Sequence, residues 1–463
     1  MFELKYNPGY NTFDSDSYTV HLDNPKEPEL FRHTFPYDEV PRIGFNHRLV
    51  PMRMPKDIWV TDTTFRDGQQ AMPPYTVKQV VDIYKMMHRL GGPKGLIRQT
   101  EFFLYTKKDQ QAVEEIQALG YKFPEVTGWV RARRKDLELA KKMGLKETGI
   151  LTSCSDYHIY LKLKMNRREA MREYLKIVQE ALDVGITPRC HFEDATRADY
   201  YGFVVPFAAE LMKLAEESKK VIKIRICDTM GLGVPYPGAA MPRSVAGLIY
   251  GLQYYAGFPS EWLEWHGHND LFLVSANAVS AWLYGCSAAN GTLLGIGERT
   301  GNPPVEAMVI NYLQLRGNDC HVDTTVITEI AEYFEHELKV QIPVNQPLVG
   351  RSFNVTRAGI HADGLLKNEE IYNVFNTEKL LNRPVELAVS DVSGLAGIAL
   401  WMKKYFRKAK TPVTKNDPGV QKIYEWMMTQ YDAGRTTAIT DDELLDQAKL
   451  HLGIWMKENG YEF

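Results

Sequence analysis

Eight short strand-like segments alternate with longer helical segments between residues 57 and 324, and this alternation restricts the fold more than any other feature of the sequence. The helical segments, for example VKQVVDIYKMMHRL, carry apolar residues at positions i, i+3, i+4 and i+7, which is the period of an amphipathic helix. Eight strand–helix units over roughly 260 residues match the size of a (β/α)8 barrel. The strand-like segments are IWVTDTTF, GLIRQTEFFL, KFPEVTGWV, ETGILTS, TPRCHFE, VIKIRICDT, WLEWHGH and SAANGTLLG.

An open, doubly wound sheet is the alternative arrangement of the same segments. The barrel is favoured because the strand count closes at eight and because no G-x-G-x-x-G motif follows the first strand. We therefore expect an α/β protein with a TIM barrel over residues 57–324, preceded by an irregular N-terminal extension over residues 1–56. Residues 325–463 lack the alternation, and helical patterns such as VITEIAEYFEHEL predict a mainly helical C-terminal region that contains a lid motif.

Composition excludes several classes of protein. The 463 residues include 55 Lys and Arg against 58 Asp and Glu, which gives a net charge of −3, and 44% of the residues are hydrophobic. These values argue against a disordered chain and against a nucleic-acid binder that depends on bulk positive charge.

No apolar run approaches the ~20 residues of a membrane-spanning helix. The first residues lack a signal-peptide pattern, and five scattered cysteines fit a reducing compartment, so we expect a cytoplasmic protein without nucleic-acid or membrane partners.

Two histidines at the end of the seventh strand, His266 and His268, give the sharpest indication of chemistry. Residues at i and i+2 share one face of a strand, and the active site of a barrel lies at the carboxyl ends of its strands. Two imidazoles and a carboxylate such as Asp67, which follows the first strand, suit a divalent metal ion, and Asn302 could add a carbonyl oxygen. A hydrogen-bonded pair of histidines without a metal is the alternative.

Other polar residues also collect near the predicted strand ends, whereas the strand bodies are mostly apolar in the sequence. Arg66 could stabilise an oxyanion, or it could simply pair with Asp67. Arg189 could bind a substrate carboxylate in a two-pronged fashion, or it could pair with Glu101 or Glu193. Both interpretations of each arginine stay open at this point.

Several motifs, in chain order from about Ile58 to Gly397, resemble those of the DRE-TIM metallolyase family. DTTFRDGQQ resembles the D-T-T-L-R-D-G-E-Q signature, and HGHND and GERTGN match two further signatures of the family. RAGIHADGLLK, followed by Tyr372, resembles the lid motif of the condensing members, the homocitrate and isopropylmalate synthases. With the FPYDEVP stretch and the PPYT after DTTFRDGQQ, the chain is most similar to the members that condense acetyl-CoA with oxaloacetate to citrate and CoA.

The resemblance implies roles for the residues that match the motifs. Asp67, His266 and His268 would bind a divalent metal ion, with Asn302 nearby. Mn²⁺ is the first choice, and Co²⁺, Mg²⁺ and Zn²⁺ are the alternatives. Substrate contacts and support of the site fall to Gln70, Glu101, Arg189, His191 and Thr229. Catalysis falls to Arg66, Glu193, His361 and Tyr372. The lid would deliver His361 and Tyr372 from the other subunit of a homodimer, with His361 in proton transfer.

The chain also departs from the family's patterns. Gln69 replaces the usual glutamate of R-D-G-E-Q, and His191 stands where homocitrate synthases usually have serine, which suggests a different keto acid. Too few residues follow Gly397 for the leucine-feedback domain of isopropylmalate synthases, and the cysteine-containing loop of the cleaving members is absent near Asn302. Three alternatives remain open: a homocitrate, isopropylmalate or citramalate synthase, a lyase on the same barrel, and a non-catalytic metabolite sensor.

Overall fold

A computed structural model describes residues 4–7, 12–15, 20–35, 43–46, 50–131 and 133–461. Of the FPYDEVP stretch, only Phe35 lies within the described residues. The chain divides into two compact units, Met1–Val322 and Asp323–Phe463. Among the described helices, none combines the length and the apolar character needed to cross a membrane.

The first unit contains a closed barrel of eight parallel strands, which confirms the predicted fold class. Each strand pairs with the next, and the last closes on the first through Ala288–Gly291 opposite Trp59–Asp62. Every strand lies within the segment that the sequence predicted. The strands are β1 Trp59–Asp62, β2 Ile97–Phe102, β3 Glu125–Val130, β4 Glu147–Ser153, β5 Thr187–Glu193, β6 Lys223–Asp228, β7 Leu263–Gly267 and β8 Ala288–Gly291.

Eight helices alternate with these strands and cover the outside of the barrel. Three of them begin at a capping box, in which an N-cap side chain and the residue three positions later satisfy each other's backbone N–H groups; the N-caps are Thr76, Thr106 and Asn166. The helices are α1 Val77–Gly91, α2 Lys107–Ala118, α3 Arg134–Lys142, α4 Arg167–Val184, α5 Val205–Ser218, α6 Val245–Ala256, α7 Val274–Leu283 and α8 Val305–Arg316.

The inside of the barrel is charged rather than apolar, which corrects the expectation of mostly apolar strand bodies. Successive side chains of a strand point to opposite faces, so the apolar residues counted in the sequence belong largely to the outer face, under the helices. On β5, for example, Cys190 and Phe192 are buried beside inward-facing Arg189. Six buried side chains form an ion-pair network inside the barrel: Arg66, Arg189 and Arg225 with Glu101, Glu147 and Glu264.

The segment before the barrel packs against its flank through polar contacts. The hydroxyl of Tyr157 donates to the Leu30 carbonyl at 2.8 Å, and the backbone N–H of Glu29 donates to Asp156 at 2.9 Å. Asp156 in turn pairs with the buried Arg167. Further towards the N-terminus, Leu4–Asn7 pairs antiparallel with Thr12–Ser15.

The second unit is mainly helical, as predicted for the C-terminal region. Its largest apolar core includes Trp401, Phe406, Ile423 and Met427, and two short parallel strands, Val355–Thr356 and Glu386–Leu387, add a small sheet. The helices are α9 Val326–His336, α10 Gly359–Lys367, α11 Thr377–Leu381, α12 Gly394–Tyr405, α13 Pro418–Asp432 and α14 Asp441–Glu458.

Candidate active site and metal centre

Asp67, His266 and His268 meet at the carboxyl end of the barrel. His266 lies near the end of β7 and His268 just beyond it, while Asp67 lies in a π-helical turn, Thr64–Gly68, that follows β1. One ligand atom from each of the three residues lies within 4.8 Å of the others, and all three side chains are buried. The predicted triad is therefore brought together by strand closure, across about two hundred residues of sequence.

Unpartnered polar atoms at this point fit a bound cation. Asp67 Oδ2, His268 Nδ1 and Asn302 Oδ1 are buried and have no hydrogen-bond partner among the described residues. Leaving a polar atom buried without a partner costs free energy, so three such atoms together indicate a ligand. His266 differs, since its Nδ1 lies 2.7 Å from Asn290 Oδ1 and donates to it, which leaves Nε2 as a metal-ligating atom. The residues present therefore fit a divalent metal ion.

The electrostatics favour the protonation states that metal ligands need. Burial alone would raise the pKa of Asp67, but the Arg66 guanidinium lowers it below its ordinary value. Burial lowers the pKa of His266 to about 3 and also lowers the pKa of His268. At neutral pH the triad thus consists of one carboxylate and two neutral imidazoles, which are the ligating forms of these side chains.

A glycine near the triad makes room for the amide of Asn302. A Cβ atom at Gly297 would lie 2.0 Å from Asn302 Oδ1 and 3.4 Å from Asp67 Oδ2. Such distances leave no space for a side chain at position 297, so the backbone of the GIGERTGN loop lies directly against the triad. The amide of Asn302 is oriented by a 3.0 Å hydrogen bond from its Nδ2 to the Gly267 carbonyl.

Arg66 lies beside the triad and is held by two carboxylates. Its Nη1 donates to Asp67 Oδ1 at 2.9 Å and its Nε donates to Glu101 Oε1 at 2.8 Å. Glu101 therefore fixes the position of the Arg66 guanidinium. Gln70 is exposed, and the described hydrogen bonds of Arg66 do not include it.

Glu101 is the centre of the ion-pair network. It accepts hydrogen bonds from Arg66, Arg189 and Arg225 and from the Thr63 hydroxyl. Burial would raise its pKa, but these cations, led by Arg225, hold the pKa well below the usual range of a glutamate. Glu101 is thus an anion at neutral pH, and it orients Arg66.

Arg189 and His191 lie inside the barrel, on the inner face of β5. Arg189 pairs with Glu101 and Glu147, and its Nε lies 3.2 Å from Glu264. Of the two pairings that the sequence suggested, the one with Glu101 is therefore present and the one with Glu193 is not. His191 Nε2 lies 3.5 Å from Glu101, and burial lowers the pKa of this histidine to about 3. Their predicted contacts with substrate remain predictions.

Glu193 ends β5 on the rim of the barrel. It accepts from the Ser153 hydroxyl, lies 3.1 Å from His158 Nδ1 and 3.5 Å from Lys162 Nζ. Burial would raise its pKa, but these contacts, led by the hydrogen bond with His158, lower the pKa to about 2. Thr229 lies at the end of β6, where its hydroxyl accepts a 2.8 Å hydrogen bond from the Asp194 N–H.

His361 and Tyr372 are neighbours in the second unit. His361 lies in α10 and Tyr372 follows a short 3₁₀ turn, and their ring centroids are 4.3 Å apart. Both side chains are exposed.

Sequence reasoning missed four residues of this region. The residues are Glu147, His158, Arg225 and Glu264. The two-residue alternation that places His266 and His268 on the inner face of β7 also places Glu264 there, so this signal was present in the sequence. His158 lies in a π-helical turn, Tyr157–Lys162, which carries neither a strand nor a helix period.

Comparison with known proteins extends these observations. Residues 57–334 match the HMGL-like family. A protein named Citrate (Re)-synthase from Syntrophus aciditrophicus is 56% identical over 95% of this chain and 71% of its own length. One of the same name from Clostridium kluyveri is 57% identical over 92% of this chain and 95% of its own.

A more distant relative is the 2-phosphinomethylmalate synthase of Streptomyces hygroscopicus, 38% identical over 91% of this chain and 96% of its own length. The family match covers the whole barrel, and these relatives span both units. The chain therefore belongs to the HMGL-like family and, within it, to the DRE-TIM metallolyases that include the citrate (Re)-synthases.

Proposed function

We propose that this chain catalyses the condensation of acetyl-CoA with oxaloacetate to citrate and CoA, with the stereochemistry of a Re-type citrate synthase. The observation that carries the proposal is the buried triad beside Arg66, together with three buried atoms for which the described residues offer no hydrogen-bond partner: Asp67 Oδ2, His268 Nδ1 and Asn302 Oδ1. This site occurs in a chain that is 56% and 57% identical to two proteins named Citrate (Re)-synthase.

Asp67, His266 and His268 would hold a divalent metal ion, Mn²⁺ as the first choice, with Asn302 beside it. When bound, such an ion supplies a Lewis acid that polarises the keto carbonyl. Imidazole and carboxylate ligands also accept Co²⁺, Mg²⁺ and Zn²⁺, which are the alternative ions.

Arg66 stabilises the negative charge that develops on the keto oxygen as the new carbon–carbon bond forms. Its guanidinium is fixed between Asp67 and Glu101 before substrate arrives, so no reorganisation is needed at the moment of reaction. A preorganised donor of this kind contributes ~3–4 kcal/mol to transition-state stabilisation.

A base must remove a proton from the acetyl methyl group, and Glu193 and His361 are the two candidates. A carboxylate with a pKa of about 2 is a weak base at neutral pH, which counts against Glu193. We therefore assign the methyl proton to His361, assisted by Tyr372, and give Glu193 the role of orienting the acyl donor. The enolate then attacks the keto carbon to form citryl-CoA, and water hydrolyses the thioester and releases CoA.

Three further parts of the proposal rest on the resemblance. The active form is a homodimer in which each lid completes the partner's barrel. The enzyme acts in the cytoplasm and feeds citrate into the tricarboxylic acid cycle. The second candidate substrates are the 2-keto acids of homocitrate, isopropylmalate or citramalate synthases, and among these the departure at His191 counts against the homocitrate reaction.

The direct test is release of free thiol from acetyl-CoA in the presence of Mn²⁺. Oxaloacetate, 2-oxoglutarate, 2-oxoisovalerate and pyruvate are compared at equal concentrations, and Co²⁺, Mg²⁺ and Zn²⁺ are then compared with the best keto acid. We expect a strong preference for oxaloacetate. A preference for another keto acid would reassign the substrate, and thiol release with none of them would support a lyase or a sensor. Citrate made from labelled acetyl-CoA reports the face of attack.

A further inference from the structure

A π-helical turn after β4, Tyr157–Lys162, brings two basic side chains to one carboxylate on the rim of the barrel. The turn is closed by a 2.8 Å hydrogen bond from the Leu163 N–H to the His158 carbonyl, five residues apart. Turns of this kind are rare and occur frequently at functional sites. His158 and Lys162 both contact Glu193 at the end of β5. The proposed chemistry uses Glu193, but neither basic residue has a role in it.

Of the two basic residues, His158 makes the stronger contact with Glu193. Its Nδ1 lies 3.1 Å from Glu193 Oε2, and its side chain is 16% exposed. Lys162 Nζ lies 3.5 Å from Glu193 Oε1 and its side chain is 52% exposed, so water and salt screen this pair. Lys162 Nζ also lies 3.3 Å from His158 Nδ1, but a ring nitrogen that donates its proton to Glu193 cannot also accept one. We therefore assign the Nδ1 proton to the hydrogen bond with Glu193.

Asp194 lies on the other side of the imidazole ring. Its Oδ2 is 3.7 Å from His158 Nε2. The Asp194 carboxylate is buried and is held by a two-pronged pair with Arg197 and by the Ser155 hydroxyl at 2.5 Å. The backbone of Asp194 has a φ of 63°, in the left-handed region that residues other than glycine adopt rarely, and such strain collects at functional sites. The imidazole of His158 thus lies between a fixed carboxylate and Glu193.

The other titratable groups near Glu193 carry no charge at neutral pH. Burial raises the pKa of each of them, so the thiols and the phenol stay protonated. Among the described residues these groups are Cys154 after β4, Tyr174 on α4 and Cys227 on β6. Burial would also raise the pKa of Glu193, but the hydrogen bond from His158 leads the contacts that lower it to about 2. His158 is therefore the main group that keeps this buried carboxylate ionised.

We propose that His158 is a positioning residue of the active site, whose Nδ1–H fixes the Glu193 carboxylate in the orientation that directs it at the acetyl group of the acyl donor. His158 acts through Glu193 and does not touch the substrate. Without this donor the carboxylate can rotate, and it can take up a proton, which turns an acceptor of hydrogen bonds into a donor. This inference rests on the proposed function, because the role of Glu193 belongs to that proposal.

The test compares wild-type protein with two variants of the histidine and a matched control. His158→Leu removes the donor, His158→Asn keeps an N–H near the place of Nδ1, and the control His336→Leu changes an exposed histidine on α9. Infrared spectra from pH 8 to pH 4, each taken as the difference from the same protein with Glu193→Gln, record the protonated Glu193 carboxyl group. Thiol release from acetyl-CoA gives kcat and KM over the same range.

We expect wild type to show almost no protonated Glu193 at pH 4, because the pKa of this residue is about 2. In His158→Leu the pKa of Glu193 rises towards the ordinary value of 4.5, so the band appears and kcat/KM falls as the pH is lowered towards 5. At pH 7 kcat falls roughly tenfold, as for a lost charge-assisted hydrogen bond. The KM values for both substrates stay within about twofold, because an interaction with the acetyl group is used in the transition state.

His158→Asn should recover most of the lost kcat and keep Glu193 ionised, and His336→Leu should equal wild type. The positioning role is wrong if the Glu193 band titrates alike in wild type and His158→Leu, if kcat is unchanged, or if His158→Asn is as slow as His158→Leu. A band that shifts as expected in a protein that releases no thiol with any keto acid would instead overturn the proposed reaction and keep the role of His158 towards Glu193. Far-UV circular dichroism checks the fold, and if His158→Leu unfolds at pH 4, the kinetics at pH 7 decide.

Discussion

Single atoms at the triad carry more information than the residue types do. A pair of histidines two residues apart occurs in many strands, but here Asp67 Oδ2 and His268 Nδ1 are both buried, and neither has a hydrogen-bond partner among the residues that the structure describes. Protein interiors rarely tolerate this, so the cost must be offset by a bound group. Replacing one of these side chains is therefore expected to release the bound metal ion.

We expect Asp67→Asn to lose bound metal and to lower kcat more than ~100-fold, beyond the effect typical of residues that only support a ligand. The reason is that an amide carries no charge to hold the cation and no longer pairs with Arg66. Metal content after gel filtration and thiol release are measured together. Asp183→Asn, on the exposed face of α4, is the control; an Asp67→Asn protein that retains metal and activity would contradict the site.

A different residue, Glu306 at the start of α8, sets a pH dependence of stability. It is buried, it accepts a 3.0 Å hydrogen bond from the Leu294 N–H, and burial raises its pKa from 4.5 to about 7. The folded state therefore binds a proton that the unfolded state has released between pH 4.5 and 7. Its contribution to stability is fully present below pH 4.5 and is lost, at about 1.4 kcal/mol per pH unit, as the pH rises towards 7.

Glu306→Gln should remove this dependence, because glutamine stays neutral and still accepts from Leu294. We expect the variant to be more stable than wild type at pH 8 and about equal to it at pH 4.5. The measurement is the midpoint of thermal unfolding at half-unit pH steps, with exposed Glu115→Gln as the control. A constant difference between variant and wild type across the range would rule out titration of Glu306.

At the scale of elements, the charged interior of the barrel links strands that lie far apart in the sequence. Glu101 on β2 accepts from Arg189 on β5 and Arg225 on β6, and Arg225 also forms a two-pronged pair with Glu264 on β7. A buried ion pair is weak evidence of stability, but removing one partner leaves an uncompensated charge. Here the network also fixes Arg66 at the site.

We expect Arg225→Met to lower the free energy of unfolding of the barrel unit by about 3–5 kcal/mol. The double variant Arg225→Met/Glu264→Met should lose clearly less, since the remaining two arginines still match Glu101 and Glu147. Urea unfolding followed by tryptophan fluorescence measures these two variants and the single variant Glu264→Met, with exposed Arg172→Met as the control. Simple additivity of the two single substitutions would show that the pair is not coupled.

At the scale of the whole molecule, the proposed chemistry draws on both units. The triad and Arg66 belong to the barrel unit, whereas His361 and Tyr372 belong to the second unit. If each lid completes the partner's barrel, two inactive variants with defects in different units can restore one intact site in a mixed dimer.

Equal amounts of Arg66→Ala and His361→Ala proteins, unfolded and refolded together, should therefore regain roughly a quarter of wild-type activity, because half of randomly paired dimers are mixed and each contains one complete site. Each variant refolded alone is the control and should stay inactive. Lack of recovery, with dimers confirmed by light scattering, would mean that each lid serves its own barrel. Full activity of His361→Ala alone would remove this histidine from the reaction.

The sequence by itself determined the eight strand–helix repeats and the fold class, because both follow from short-range regularities. It also predicted the members of the triad. The helix and strand periods define the eight repeats, and the spacing of His266 and His268 places both at the end of one strand. The family motifs imply a role for each site residue.

Only the tertiary structure decided which charges meet inside the barrel. Arg189 and Glu101 are separated by 88 residues of sequence and Arg225 and Glu101 by 124, and no local period records such a pairing. Closure of β8 on β1 sets which strands are neighbours, and the inward faces then determine the partners. The sequence left open whether Arg189 binds substrate or forms ion pairs. That choice depends on closure of the barrel, because all the strands around a side chain set its environment.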